Sequence, residues 1–208
     1  MKKLVVLALL GVALVPSIAL AQEGSLLVRA RAVYIYTADK SDAIPSLKVP
    51  DDAITVSKKT IPEVDFTYFL SKNIAAELIL TYPQKHDVEL SGTKIGTFKH
   101  LPPVLSLQYH LAPEGTLRPY IGVGANLTLI SNVELAVPGV GALDLSSPSV
   151  GVSGQAGFDF KLGPKLFFNA DAKWVMLRSD VELKTGGTKV SVVRVDPWLI
   201  GVGLGYRF

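Results

Sequence analysis

Cysteine is absent from the 208 residues. This excludes a disulfide framework, a thiolate nucleophile, a cysteine-linked lipid anchor and any cysteine-ligated metal site. An excess of one charge sign is missing too. Lys and Arg number 21 against 18 Asp and Glu. Setting Lys2 and Lys3 aside with a leader gives 21 − 2 = 19 basic residues and a net charge of +1, which predicts no nucleic-acid partner. Beyond residue 21 no uninterrupted apolar run approaches the ~20 residues of a membrane helix. Also missing are a nucleophile elbow, H-E-x-x-H, a phosphate loop and zinc spacing. The sequence therefore predicts no cofactor, no metal and no catalytic residue.

The chain begins with Lys2-Lys3, an apolar stretch, a Pro16-Ser17 break and Ala19-Leu20-Ala21, a small-x-small end. This pattern predicts a cleaved signal peptide over residues 1–21 and one domain over residues 22–208. An anchoring helix is the alternative, and the Pro-Ser break argues against it.

In the rest of the chain apolar residues recur every second position, the strand period. Eight segments show it: residues 25–36, 62–70, 73–82, 101–111, 118–130, 149–161, 165–176 and 196–208. In the first, Leu26, Val28, Ala30, Ala32, Tyr34 and Tyr36 share one face, opposite Arg29 and Arg31. In the last, Trp198, Ile200, Val202, Leu204, Tyr206 and Phe208 oppose Leu199, three glycines and Arg207. Each segment has about the 9–11 residues of a tilted membrane strand, and an even number closes without an edge. Short links near Ser71-Lys72, Glu114-Gly115 and Gly163-Pro164 alternate with long ones near 37–61, 83–99, 131–149 and 177–193. That alternation fits short periplasmic turns and long external loops.

The expected fold is all-β, an eight-stranded antiparallel up-and-down transmembrane β-barrel in the bacterial outer membrane. Threading puts Tyr34, Tyr36, Tyr82, Trp174 and Trp198 at the outer rim and Tyr68, Tyr109, Phe158, Phe168, Tyr206 and Phe208 at the inner one, as two aromatic girdles. A soluble sandwich or lipocalin-like barrel shares the alternation with its apolar face turned inward.

A barrel of eight strands has a lumen that side chains can fill. Arg29, Arg31, Glu63, Asp65, Glu77, Arg118, Asp159, Asp171 and Lys173 are expected to pair there, since enclosed charges need partners. The long loops are rich in apolar residues, and a ligand funnel is assigned to Val137, Val140, Leu143 and Leu145, with Leu47 and Ile54 opposite. His100 and His110 lie too far apart on one strand to share a metal, and His86 beside Asp87 is a weak hint of a carboxylate pair.

The segments DFTYFLSKNIAAELILTYPQKHD, LPPVLSLQYHLAP, RPYIGVGANLT, KLFFNADAKW and DPWLIGVGLGYRF, in this order across nearly the whole chain, resemble the OmpW family of small outer-membrane proteins, which includes AlkL-type alkane-uptake proteins. The resemblance implies passive passage of small, mostly hydrophobic molecules, with some members taking small polar ones. It implies a tunnel blocked partway and exit sideways through the wall. It also implies contact with outer-membrane lipids and lipopolysaccharide, and with the barrel-assembly machinery through Tyr206 and Phe208. The loop at 132–148 is more apolar than the family leads one to expect. The rival readings are a structural or adhesive barrel and a lipid-modifying enzyme using Ser106 and His110.

Overall fold

A computed structural model of the chain describes residues 25–43 and 49–208. The expected signal peptide over residues 1–21 and the expected funnel residue Leu47 lie outside the described residues. Fifteen strands form among the described ones: β1 (Leu26–Tyr36), β2 (Lys40–Ser41), β3 (Ile54–Val56), β4 (Lys59–Phe69), β5 (Ile74–Leu80), β6 (Gln84–Leu90), β7 (Thr93–Leu101), β8 (Val104–His110), β9 (Leu117–Val137), β10 (Gly141–Leu145), β11 (Ser149–Lys161), β12 (Leu166–Val175), β13 (Arg178–Leu183), β14 (Lys189–Arg194) and β15 (Trp198–Arg207).

Eight of them make the wall. They pair antiparallel in the order β11-β12-β15-β1-β4-β5-β8-β9, and β9 pairs back onto β11. The ladder therefore closes on itself, and no strand is left at an open edge of the sheet. The outward residues are the apolar set the alternation assigns: Val64, Phe66, Leu78, Leu80, Leu105, Leu107, Val123, Val152, Val202 and Leu204 are all exposed. Tyr34, Tyr36, Tyr82 and Trp198 are exposed toward one end, Tyr68, Tyr109, Phe168, Tyr206 and Phe208 toward the other. The wall segments are thus dressed for a bilayer, polar side in.

The long links differ from the expected loops. They are largely β-structure and build a second ladder on the outer end, in the order β3-β6-β7-β9-β10-β13-β14-β2. The Asp52 N–H donates to the Ser41 carbonyl at 2.9 Å, bringing the two ends of this ladder together. Here the alternation has the opposite sense. Val88, Phe98, Leu135, Leu143, Val181 and Val193 are buried inside, while Lys85, Glu89 and Lys189 point out. Water surrounds this section, so the apolar side must turn inward.

Strand β9 runs through both ladders and has to reverse. Up to Ile130 its even residues face in, as Asn126 and Thr128 do; beyond Asn132 Leu135 is the buried residue. The reversal is made by one extra residue. Thr97 pairs with Glu134 and Lys99 with Ser131, so two steps on β7 match three on β9. Asn132 takes φ 50° at this bulge, a left-handed conformation that asparagine tolerates better than most residues.

Candidate functional site

The lumen is layered from the inner end outward. Leu27 and Phe167 are buried at the inner mouth, and the His110 ring lies 4.9 Å from that of Phe69. Arg118 and Arg207 cover the rings of Phe167 and Phe69 at 4.7 and 4.3 Å. This makes a seal rather than a mouth. Arg118, expected in the ion-pair network, serves the seal instead: it is half-buried and its Nε donates to the Gly115 carbonyl at 2.9 Å. Its place at the first turn-facing step of β9 keeps it at the water boundary.

Above the seal sits a charged plug. Arg29 binds Asp159 through Nε and Nη2 at 2.9 and 2.7 Å, and Asp65 through Nη1 at 2.9 Å. Arg31 Nη2 reaches Glu63 at 2.7 Å and Asp65 at 3.1 Å. Lys173 stands 3.6 Å from Glu77, and Gln155 donates to the same carboxylate at 2.8 Å. Tyr120 donates to Asp171 at 3.0 Å; Asn169 donates to Tyr120 and Asp159. Bidentate guanidinium–carboxylate pairing with further hydrogen bonds is what makes such burial tolerable. All the members are buried.

The terminal strand supplies the space. A Cβ on Gly203 would meet the Ala30 carbonyl and the Arg31 side chain, and one on Gly205 would come within 3.0 Å of Arg29. Glycines at these inward positions let both guanidiniums lie across β15 toward β12 and β11.

Outside the plug the same inward faces become apolar. Ile35, Ile61, Ile79, Val104, Val175 and Leu199 surround a chamber whose floor is Lys173 and Glu63. Its empty space, open mouth and solvent included, is about 660 Å³. Val56, Phe98, Leu177 and Val195 line both this chamber and a second apolar space of about 470 Å³ within the outer ladder. Of the expected funnel residues, Ile54, Leu143 and Leu145 line that outer space, and Val137 and Val140 pack against its core. The sequence reading missed the chamber residues, although their inward parity combined with apolar character at the outer end of each strand carries the signal.

Two histidines mark the neck. The rings of His86 and His100 stack at 4.8 Å, and both line the chamber. His86 Nδ1 lies 2.8 Å from the Ser57 carbonyl, so its partner is the backbone and the neighbouring ring rather than Asp87, which is held by Lys94 at 2.8 Å. Burial pushes His86 below the usual imidazole range; it takes His100 down to about 3, with His86 and Lys59 adding to the effect. Pro102 and Pro103 separate His100 from His110, which lies on β8 with its Nε2 at 3.1 Å from Gln108 Oε1.

The wall is interrupted beside the chamber. Among the described residues, ladder pairs join Ile79 to Val104 and Gln84 to His100, with none between residues 80–83 and 101–103. Three of those seven residues are prolines, Pro83, Pro102 and Pro103, which have no N–H to donate. On the neighbouring edge β4 outruns β5, and the Thr81 hydroxyl donates to the Pro62 carbonyl at 3.0 Å. Pro102 and Thr81 line the chamber itself.

The OmpW family model matches residues 22–208. An uncharacterized outer-membrane protein y4mB of Sinorhizobium fredii is 37% identical over 87% of this chain and 79% of its own. Outer membrane protein W of Escherichia coli is 32% identical over the full length of both. The crystal structure of the outer membrane protein OprG from Pseudomonas aeruginosa superposes with a TM-score of 0.75 at 29% identity, covering 90% of this chain and 97% of that one.

Proposed function

The chain belongs to the OmpW family of outer-membrane barrels, and from that premise we propose that it carries small hydrophobic molecules passively across the lipopolysaccharide layer and releases them sideways into the membrane. The observation that supports this most is the sequence of spaces: an apolar vestibule opening into an apolar chamber that stops on a closed ionic floor, with a proline-lined break in the wall at that depth. A greasy solute is favoured at every step to the floor by about 25 cal/mol per Å² of apolar surface removed from water. Crossing the plug would strip water and partners from charges, which is far more costly. The side break opens instead at the boundary between headgroups and hydrocarbon.

Ile54, Leu143 and Leu145 serve as the vestibule wall, and Val137 and Val140 support it. Tyr206 and Phe208, exposed and edge-to-face at 5.0 Å, serve as the assembly signal. The test is uptake of an apolar probe by cells or proteoliposomes bearing Ile61→Asp, Leu143→Asp/Leu145→Asp or Pro102→Val/Pro103→Val. All three fold, by heat-modifiable migration, and slow the probe about tenfold, the effect of ~1.4 kcal/mol on a barrier. Unchanged uptake in the proline variant removes the side exit; unchanged uptake in the aspartate variants removes the chamber.

A further inference from the structure

We propose that Lys58, Lys59, Lys85 and Lys99 form a seat for the phosphorylated headgroup of an outer-leaflet glycolipid. Lys85 and Lys99 are direct cross-strand partners on β6 and β7, an arrangement in which like charges repel. Lys59 Nζ donates to the Lys85 carbonyl at 3.4 Å, so a third lysine is anchored on the strand that carries the pair. Lys58 Nζ lies 4.2 Å from the centroid of the Tyr36 ring, at the edge of the outer girdle.

Four exposed lysines elsewhere meet carboxylates: Lys40 with Asp52, Lys72 with Glu114, Lys94 with Asp87 and Lys189 with Asp180. Among the described residues Lys58, Lys59, Lys85 and Lys99 have none. The carboxylates nearest in register, Asp87 and Glu134, both stand at the level of Thr97, one step further out, and Asp87 is already taken.

A concentration of positive charge at this height attracts an anion, and the height selects which one. Exposed Tyr36 and Tyr82 mark the headgroup level, where the available anions are lipid phosphates. Directly below the lysines the wall presents Leu80, Tyr82 and Leu105 to the bilayer, so a lipid gains from its acyl chains as well as its phosphates. Inorganic phosphate gains from the charges alone. The seat stands immediately outside the break at residues 80–83 and 101–103, since β6 and β7 continue from it.

The test titrates the folded barrel in zwitterionic micelles with bisphosphorylated lipid A, with the same lipid stripped of phosphate, and with inorganic phosphate. The bisphosphorylated lipid binds at least about tenfold more tightly than either control, and Lys85→Gln/Lys99→Gln weakens it about tenfold. Lys85→Arg/Lys99→Arg retains the affinity, and Lys161→Gln/Lys184→Gln, remote from the seat, leaves it unchanged; heat-modifiable migration verifies each fold. Equal binding of the stripped lipid, equal binding of inorganic phosphate, no loss in the Lys85→Gln/Lys99→Gln barrel, or an equal loss in the remote variant would each overturn the proposal.

Discussion

The membrane section and the outer section of this one cylinder obey opposite rules. In the wall strands Val123 and Leu127 face out and Asn126 and Thr128 face in; on the same strand β9, past the bulge at Asn132, Leu135 is buried and Glu134 exposed. The period is identical, and only the solvent outside has changed. Alternation therefore fixes which residues share a face, and the surroundings decide which face goes inward. The chamber lies where the two rules meet. Below it lipid takes the apolar set and the lumen holds ions; above it the apolar set faces the lumen.

The contrast can be broken first in the plug. Asp65→Ala removes a carboxylate shared by Arg29 and Arg31; losing a partner of buried charges costs about 3–5 kcal/mol, read as a lower urea midpoint for the whole barrel in lipid. Leu143→Ala, in the core of the outer section, costs about 2–3 kcal/mol. Its effect is confined: hydrogen exchange quickens in β10 and β13, while the membrane section keeps its heat-modifiable migration.

Acid sharpens the comparison further. His86 and His100 are held neutral by burial, His100 down to about 3. Their folded values lie below the unfolded one of about 6.5, so the opened state binds more protons as pH falls. Stability of β6 and β7 is complete above about pH 6.5 and declines below it, by up to ~1.4 kcal/mol per pH unit for each histidine. Exchange in these strands, corrected for intrinsic rates, rises between pH 6.5 and 4.5, and His100→Phe removes part of the rise. The smallest effect is on the lipid face: Val150→Leu, exposed on β11, shifts stability by less than about 0.5 kcal/mol.

Much of this was legible in the sequence. The eight wall segments, their outward sets and both girdles follow from parity and direction, because lipid imposes one rule over every residue it touches. Most of the plug was legible for the same reason: Arg29, Arg31, Asp65 and Glu77 are charged residues on the lumen side of strands. Tyr120, Gln155 and Asn169 lay on the same face, but their lack of charge hid their part in it. The outer ladder was read as loops because its strands are short and its alternation is reversed: in QKHDV, Gln84, His86 and Val88 turn inward, a set that mixes polar with apolar. The His86–His100 stack depends on the hairpin register, and the wall break on where two ladders fail to meet; neither is a property of one strand. The soluble-barrel rule weighed for the whole chain describes this outer section alone.

The most direct test follows two solutes through the reconstituted barrel at once: an apolar fluorophore partitioning from micelles into the liposome bilayer, and a polar solute of matched size trapped in the lumen of the liposome. Barrel-dependent entry of the fluorophore into the bilayer with the polar solute retained is the expected result. Release of the polar solute at a comparable rate, or fluorophore entry that ignores the barrel, would contradict a closed plug beneath a sideways exit.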